Sequence, residues 1–159
     1  MLIKNDFPAS TTDAIVSEIQ IAAPPERIFR ALTDPAQLAL WFGNVGCPVK
    51  QWEMDPRPGG RYGYSMENGT LTINGVSKFE CHGEITEIDP PHLLVYTWVA
   101  NWHDDKSHRT VVRWELFSED NGTRVRVTHS GLAGEDVARK DYTQGWPGVL
   151  QQLKKFVEN

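Results

Sequence analysis

The chain is poor in cysteine, and its first residues do not predict a secretory leader. Its 2 cysteines, Cys47 and Cys81, fall among 159 residues. Two thiols cannot form the disulfide framework of a small secreted domain, so cysteine usage favours a reducing compartment. Residues 1–8 also lack the apolar core of a signal peptide. We therefore expect a cytoplasmic protein.

Basic clusters and long apolar runs are also absent. The formal net charge is -5, and Lys and Arg occur singly or in pairs. A protein without a positive field is a poor candidate for nucleic-acid binding. No run approaches the roughly 18 apolar residues of a membrane span, so we expect no membrane insertion. The length suits a single domain, predicted over 14–159, after a flexible N-terminal tail over 1–13.

Common catalytic motifs are missing as well. The sequence has no phosphate-binding glycine motif of the Walker or Rossmann type and no Gly-x-Ser-x-Gly elbow. It therefore predicts no nucleotide cofactor, and we expect no other cofactor. What the chain does contain is aromatic residues, including 6 tryptophans. Their bulk favours a large apolar core or an aromatic-lined cavity.

The first quarter of the chain predicts one strand and two short helices. Alternation over residues 14–21 indicates a strand. Pro24-Pro25 then favours a helix start, because proline is tolerated in the first helical turn. Asp34-Pro35 ends this helix and begins a second one, whose apolar stripe contains Trp41.

From Val49 onward the apolar period changes to two, which indicates strands. Asp120-Asn-Gly-Thr123 is a strong hairpin signal. Short turns between consecutive strands predict an antiparallel meander. The segment from Gly134 returns to helical spacing, but we expect Gly145 and Pro147 to interrupt it with a kink or a new start.

Several segments together resemble a known superfamily. The run Ile21–Pro35 (IAAPPERIFRALTDP), followed by Leu38 and Trp41, is similar to the opening of START-like (SRPBCC) domains. The segments Asp55–Gly60, Gly83–Ile85, Ile88–Pro91, Thr128–Leu132 and Gly145-Trp146 resemble the branch named after the activator of heat-shock-protein-90 ATPase. This resemblance implies an α+β helix-grip fold. In that fold a curved antiparallel sheet, two short helices and a long C-terminal helix enclose a cavity.

The resemblance implies a binding protein for a small hydrophobic or aromatic ligand held between the sheet and the C-terminal helix. One alternative is a cyclase- or hydrolase-like enzyme using the same cavity. Another is a chaperone-interacting module, and the oligomeric state, including a homodimer, stays open. The residues that we expect to line the cavity are Trp41, Tyr62, Tyr64, Met66, Phe79, Trp98, Val112, Trp114, Val127, His129, Trp146 and Leu150.

His129 is the candidate catalytic residue, with Glu115 or Asp141 as partner in an acid–base pair. A hydrogen-bonded structural role for His129 is the favoured interpretation. Arg57 could bind an anionic headgroup, although an ion pair with Asp55 is favoured.

Two polar loops, Asn68–Gly75 and Asn101–His108, are the expected route of ligand access. The second loop holds two carboxylates and two histidines five residues apart. Nothing in the sequence forces them together, so a solvated hairpin is favoured and no metal centre is predicted.

Overall fold

The computed structural model describes residues 13–44, 47–67 and 71–159, with the backbone alone for 43–44 and 47–50. The predicted N-terminal tail lies outside this part except for Asp13. The Asp13 carbonyl accepts a hydrogen bond from Leu132 N–H at 2.8 Å. Residues 68–70 of the first predicted access loop also lie outside the described residues.

The elements of the described residues are β1 (Ile15–Ile21), α1 (Pro25–Thr33), α2 (Pro35–Trp41), β2 (Gly43–Asn44), β3 (Cys47–Met54), β4 (Arg61–Glu67), β5 (Lys78–Asp89), β6 (Leu93–Ala100), β7 (Thr110–Glu119), β8 (Gly122–Ser130) and α3 (Asp136–Glu158). These eight strands form one antiparallel sheet in the order β1-β8-β7-β6-β5-β4-β3-β2. From β2 to β8 each strand pairs with the next, and β1 returns to pair with β8. The predicted meander and helix-grip fold are confirmed.

Proline and aspartate set the bounds of the two short helices as the sequence predicts. Pro25 occupies the first turn of α1, where its missing N–H costs no hydrogen bond. Asp34 ends α1 and caps α2, because its Oδ1 accepts from Ala36 N–H at 3.0 Å. Each helix buries its apolar stripe, with Ile28 and Trp41 as examples.

The strand faces follow the predicted alternation. Val125, Val127 and His129 on β8 are all buried, while the residues between them are half-buried. Gly83 on β5 is required by packing, since a Cβ there would overlap the carbonyl oxygen of Thr97 and would also lie 2.7 Å from the ring of Tyr62. The absent side chain lets Tyr62 cross β5, where its hydroxyl donates to the Thr97 carbonyl at 2.7 Å.

The C-terminal helix differs from the prediction. α3 runs through Gly145 and Pro147 as one helix of 23 residues. Proline removes the hydrogen bond to the carbonyl four residues earlier, that of Thr143. Both Pro147 and Thr143 are exposed, so water can hydrate this carbonyl. The predicted new start is therefore wrong, because the lost bond falls on the solvent side.

Candidate functional site

An aromatic cleft lies between the sheet and the middle of α3. Its volume is about 50 Å³. The lining residues come from the end of α2, from β4, from β6 and the loop after it, and from α3: Phe42, Tyr64, Met66, Trp98, Trp102, Asp141, Tyr142, Gly145, Trp146 and Val149. Pockets that hold drug-sized ligands measure about 300–1,000 Å³. This cleft is thus small.

Aromatic rings pack closely against one another between the sheet and α3, around this cleft. Trp98 is at the centre of this packing, with its ring centroid 5.7 Å from that of Tyr64 and 5.6 Å from that of Trp146. The ring of Phe42 lies 5.2 Å from that of Tyr64. These separations are normal for favourable edge and tilted aromatic pairs. The cleft therefore has rigid, flat, apolar walls.

Asp141 is the charged residue of the cleft. Its carboxyl group makes no hydrogen bond or ion pair with any residue in the described part of the chain. Burial raises the pKa of its carboxyl group. A half-buried carboxyl without a partner can accept or donate a hydrogen bond, so it gives the apolar cleft one polar anchor.

Tyr142 connects the cleft to the loop after β6. Its hydroxyl accepts from Trp98 Nε1–H at 2.8 Å and lies 2.8 Å from His103 Nε2. Burial raises the pKa of this hydroxyl well above its ordinary value, so Tyr142 is neutral. The direction of this hydrogen bond depends on the histidine tautomer. The Tyr142 hydroxyl donates when His103 Nε2 is unprotonated, and His103 Nε2–H donates when Nε2 carries the proton.

His129 belongs to a series of hydrogen bonds that lies behind the cleft. Its Nδ1 accepts from Trp146 Nε1–H at 3.1 Å, because an indole nitrogen can only donate. Its Nε2 then carries the proton and donates to Thr110 Oγ1 at 2.8 Å. The Thr110 hydroxyl in turn donates to the Trp98 carbonyl at 2.9 Å.

These hydrogen bonds indicate a structural role for His129. Both ring nitrogens are occupied, the residue is fully buried, and it does not line the cleft. Burial and the nearby His103 lower its pKa well below the ordinary value. Neither Glu115 nor Asp141 is among its hydrogen-bond partners, so the suggested acid–base pair is not formed.

The structure divides the predicted lining residues into two groups. Tyr64, Met66, Trp98 and Trp146 line the cleft. The others belong to the surrounding hydrophobic core or, for His129, to the series of hydrogen bonds behind it: Trp41, Tyr62, Phe79, Val112, Trp114, Val127, His129 and Leu150. Trp41, for example, donates from Nε1 to the Ala31 carbonyl at 2.9 Å and holds α2 against α1.

On the helical side of the cleft, sequence reasoning found Trp146 but missed the other lining residues. Asp141, Tyr142, Gly145 and Val149 lie on one face of α3, at spacings of three, four and seven residues. This spacing is visible in the sequence, but the expected interruption at Gly145 concealed it. Trp102 was missed because its loop was expected to be solvated.

The loop Asn101–His108 is packed rather than solvated at its start. Trp102 and His103 are 3% and 1% exposed. His108 Nδ1 lies 2.9 Å from Glu135 Oε2, at the start of α3. The solvated-hairpin interpretation is therefore wrong for these residues. Arg57, in contrast, forms the expected contact, with Nε 2.8 Å from Asp55 Oδ2.

Comparison with solved structures finds the same fold in bacterial proteins. A protein from Chromobacterium violaceum is 26% identical, with a TM-score of 0.79 over 92% of this chain and 99% of its own. The AHSA1 protein from Silicibacter pomeroyi is 27% identical, with a TM-score of 0.71 over 89% of this chain and 95% of its own. An AHSA1-like protein from Aeromonas hydrophila is 26% identical, with a TM-score of 0.70 over 91% and 92%.

A search of curated proteins found no match. No helix in the described part of the chain has the length and apolar character needed to cross a membrane. The family model described as Activator of Hsp90 ATPase homolog 1-like protein matches residues 22–158. That match spans α1 to the end of α3, including every element that contributes to the cleft, and so the chain belongs to the Activator of Hsp90 ATPase homolog 1-like family.

Proposed function

We propose that the protein binds a small, flat aromatic molecule in the cleft between the sheet and α3. The observation that carries this proposal is a cleft with aromatic walls and one carboxyl group, that of Asp141, which has no partner among the described residues. Apolar walls with few polar groups are typical of small-molecule sites. A ligand with a hydroxyl or amine group would stack its ring on the walls and donate a hydrogen bond to Asp141.

The size of the cleft restricts the ligand class. A space of about 50 Å³ admits part of one ring, so the cleft must widen when a ligand enters. Met66 can supply this movement because it is unbranched and half-buried. Burial of about 200 Å² of apolar ligand surface, at roughly 25 cal/mol per Å², gives about 5 kcal/mol before association costs. Phenols and anilines therefore suit the site better than long acyl chains.

Gly145 offers a direct test of this binding mode. A Cβ at Gly145 would meet no atom within 4 Å, and the residue lines the cleft. Gly145→Leu should therefore place an apolar side chain in the cleft, starting from a Cβ that has open space around it. Gly148→Leu is the matched control, since Gly148 has equally open surroundings on the same helix but does not line the cleft. Both substitutions should favour the helix, because glycine costs about 1 kcal/mol relative to good helix formers.

The experiment is a thermal-unfolding and calorimetric screen of phenols, anilines, flavonoids, aromatic polyketides and fatty acids. We expect a phenol or aniline to raise the Tm of the wild type and of Gly148→Leu, and to leave Gly145→Leu unchanged. Equal binding to both variants would reject the cleft as the site. No binding by any compound to the wild type would reject the proposal.

Contact with an Hsp90-type chaperone is a second candidate, favoured by the description of the family to which the chain belongs. It would use an outer surface rather than the cleft. The test is the ATPase rate of the host's Hsp90 with and without the protein. An increase that Gly145→Leu retains would support this role, and an unchanged rate would contradict it.

A further inference from the structure

We propose that His103, His108 and Glu135 form a binding site for one divalent transition-metal ion of the zinc class. One ring nitrogen of each histidine and a carboxylate oxygen of Glu135 all lie within 4.8 Å of one another. The histidines come from the loop between β6 and β7, and Glu135 immediately precedes α3. Residues distant in sequence thus meet at one point beside the cleft.

His103 provides an independent indication of a missing ligand. It is 1% exposed, and its Nδ1 has no hydrogen-bond partner among the residues that the structure describes. Its other nitrogen, Nε2, lies 2.8 Å from the Tyr142 hydroxyl. A buried polar atom without a partner is costly, on the order of 1–3 kcal/mol. A metal ion on Nδ1 would remove this cost.

The contact with Tyr142 suits a metal-binding histidine. Such histidines usually donate their second N–H to a neighbouring oxygen, which fixes the tautomer and the ring orientation. With a metal on Nδ1, Nε2–H of His103 would donate to the Tyr142 hydroxyl oxygen. Burial lowers the pKa of His103, which agrees with a neutral ring at neutral pH.

Glu135 supplies the negative charge. It is 2% exposed and accepts backbone N–H bonds from Asp104 at 2.7 Å and Asp105 at 3.3 Å. Burial alone would raise its pKa, but these bonds and the contact with His108 together hold the pKa below the ordinary value. A carboxylate has about four lone-pair positions, so a metal could replace the bond from His108 Nδ1 and leave the two backbone bonds intact.

The ligand set and its dimensions define the class of metal. Two histidines and one glutamate are the protein ligands of several catalytic zinc sites, which keep a fourth position open. Ligand atoms around tetrahedral zinc lie roughly 3.3 Å apart, given bonds of about 2.0–2.1 Å. The distance of 2.9 Å between His108 Nδ1 and Glu135 Oε2 is short enough for both atoms to bind the same ion. The His108 side chain is 28% exposed, which gives an ion access from solvent.

The test is calorimetric titration of tag-free, EDTA-treated protein with zinc chloride near pH 7.5, repeated with cobalt(II) chloride and visible absorption. We expect one zinc ion per chain, a higher Tm in its presence, and the visible bands of four- or five-coordinate cobalt. His108→Asn should weaken zinc binding by about tenfold or more. Glu135→Gln should do the same, and it retains an oxygen for the backbone N–H groups.

His82→Asn is the matched control, because His82 is exposed on β5 and lies outside the cluster. It should bind zinc as the wild type does. The proposal is overturned if the wild type binds no zinc, or if His108→Asn binds zinc as tightly as His82→Asn. The site does not depend on ligand binding in the cleft, so either proposal can fail without the other.

Discussion

At the scale of single residues, hydrogen-bond direction decides what His129 can do. The indole N–H of Trp146 can only donate, so His129 Nδ1 must be unprotonated. Protonation of Nδ1 would break this bond inside a fully buried core. A pattern of residue types could place His129 on an apolar face, but it could not show that both ring nitrogens are occupied. The sequence favoured a hydrogen-bonded structural role for His129, but its partners were identified only with the positions of Trp146 and Thr110.

The first prediction concerns pH and His129. Because burial lowers its pKa in the folded state, the unfolded chain binds more protons at mildly acidic pH. Stability from this group is complete above about pH 6.5 and decreases as the pH falls toward the lowered pKa, by up to about 1.4 kcal/mol per pH unit.

The measurement is urea unfolding of the wild type and His129→Gln at pH 7.5 and 5.5, with EDTA present. We expect His129→Gln to be less stable at pH 7.5, because a buried hydrogen-bond network is disturbed. Its loss of stability on acidification should be smaller than that of the wild type. Equal losses would show that His129 does not resist protonation in the folded state.

Single residues also show which part of the cleft can be predicted from the sequence. Period-two alternation correctly assigned Tyr64, Trp98 and Val127 to the inner face. It could not separate Tyr64 and Trp98, which line the cleft, from Val127, which does not. Alternation predicts which side chains of a strand face the helix. It does not predict where along the strand the cleft between sheet and helix lies.

At the scale of elements, α3 is the main departure from expectation. Proline inside a helix usually breaks or kinks it. Here the lost bond lies on the exposed side, while Trp146 and Val149 on the inner side remain buried against the core. Tertiary packing of one face therefore outweighs the local preference of Pro147.

The second prediction follows from this balance. Pro147→Ala restores one backbone hydrogen bond and removes a residue that costs up to about 3 kcal/mol in a helix interior. We expect the free energy of unfolding to rise by about 1–2 kcal/mol, measured by urea denaturation. Gln144→Ala, at another exposed position of α3, is the control for a simple gain in helix propensity. A Pro147→Ala protein that is less stable than the wild type would mean that packing requires the proline geometry.

At the scale of the whole molecule, Tyr142 joins the proposed metal site to the proposed ligand site. Its hydroxyl contacts His103 on one side, and its side chain lines the cleft on the other. Without metal, the Tyr142 hydroxyl can donate to His103 Nε2. With a metal on His103 Nδ1, Nε2 carries a proton and becomes the donor. The Tyr142 proton is then free to be donated to a ligand in the cleft.

The third prediction is therefore a coupling between the two sites, and it rests on both proposals. A metal on His103 Nδ1 fixes the tautomer in which Tyr142 can donate to a phenol oxygen, and one added hydrogen bond of about 0.5–1.5 kcal/mol corresponds to roughly two- to tenfold tighter binding. We expect saturating zinc to tighten phenol binding by this factor in calorimetry, and phenol to tighten zinc binding equally, because such coupling is reciprocal. Tyr142→Phe removes the hydroxyl and should make phenol affinity independent of zinc. If zinc tightened phenol binding as much in Tyr142→Phe as in the wild type, the connection would run through the shape of the cleft rather than through this proton.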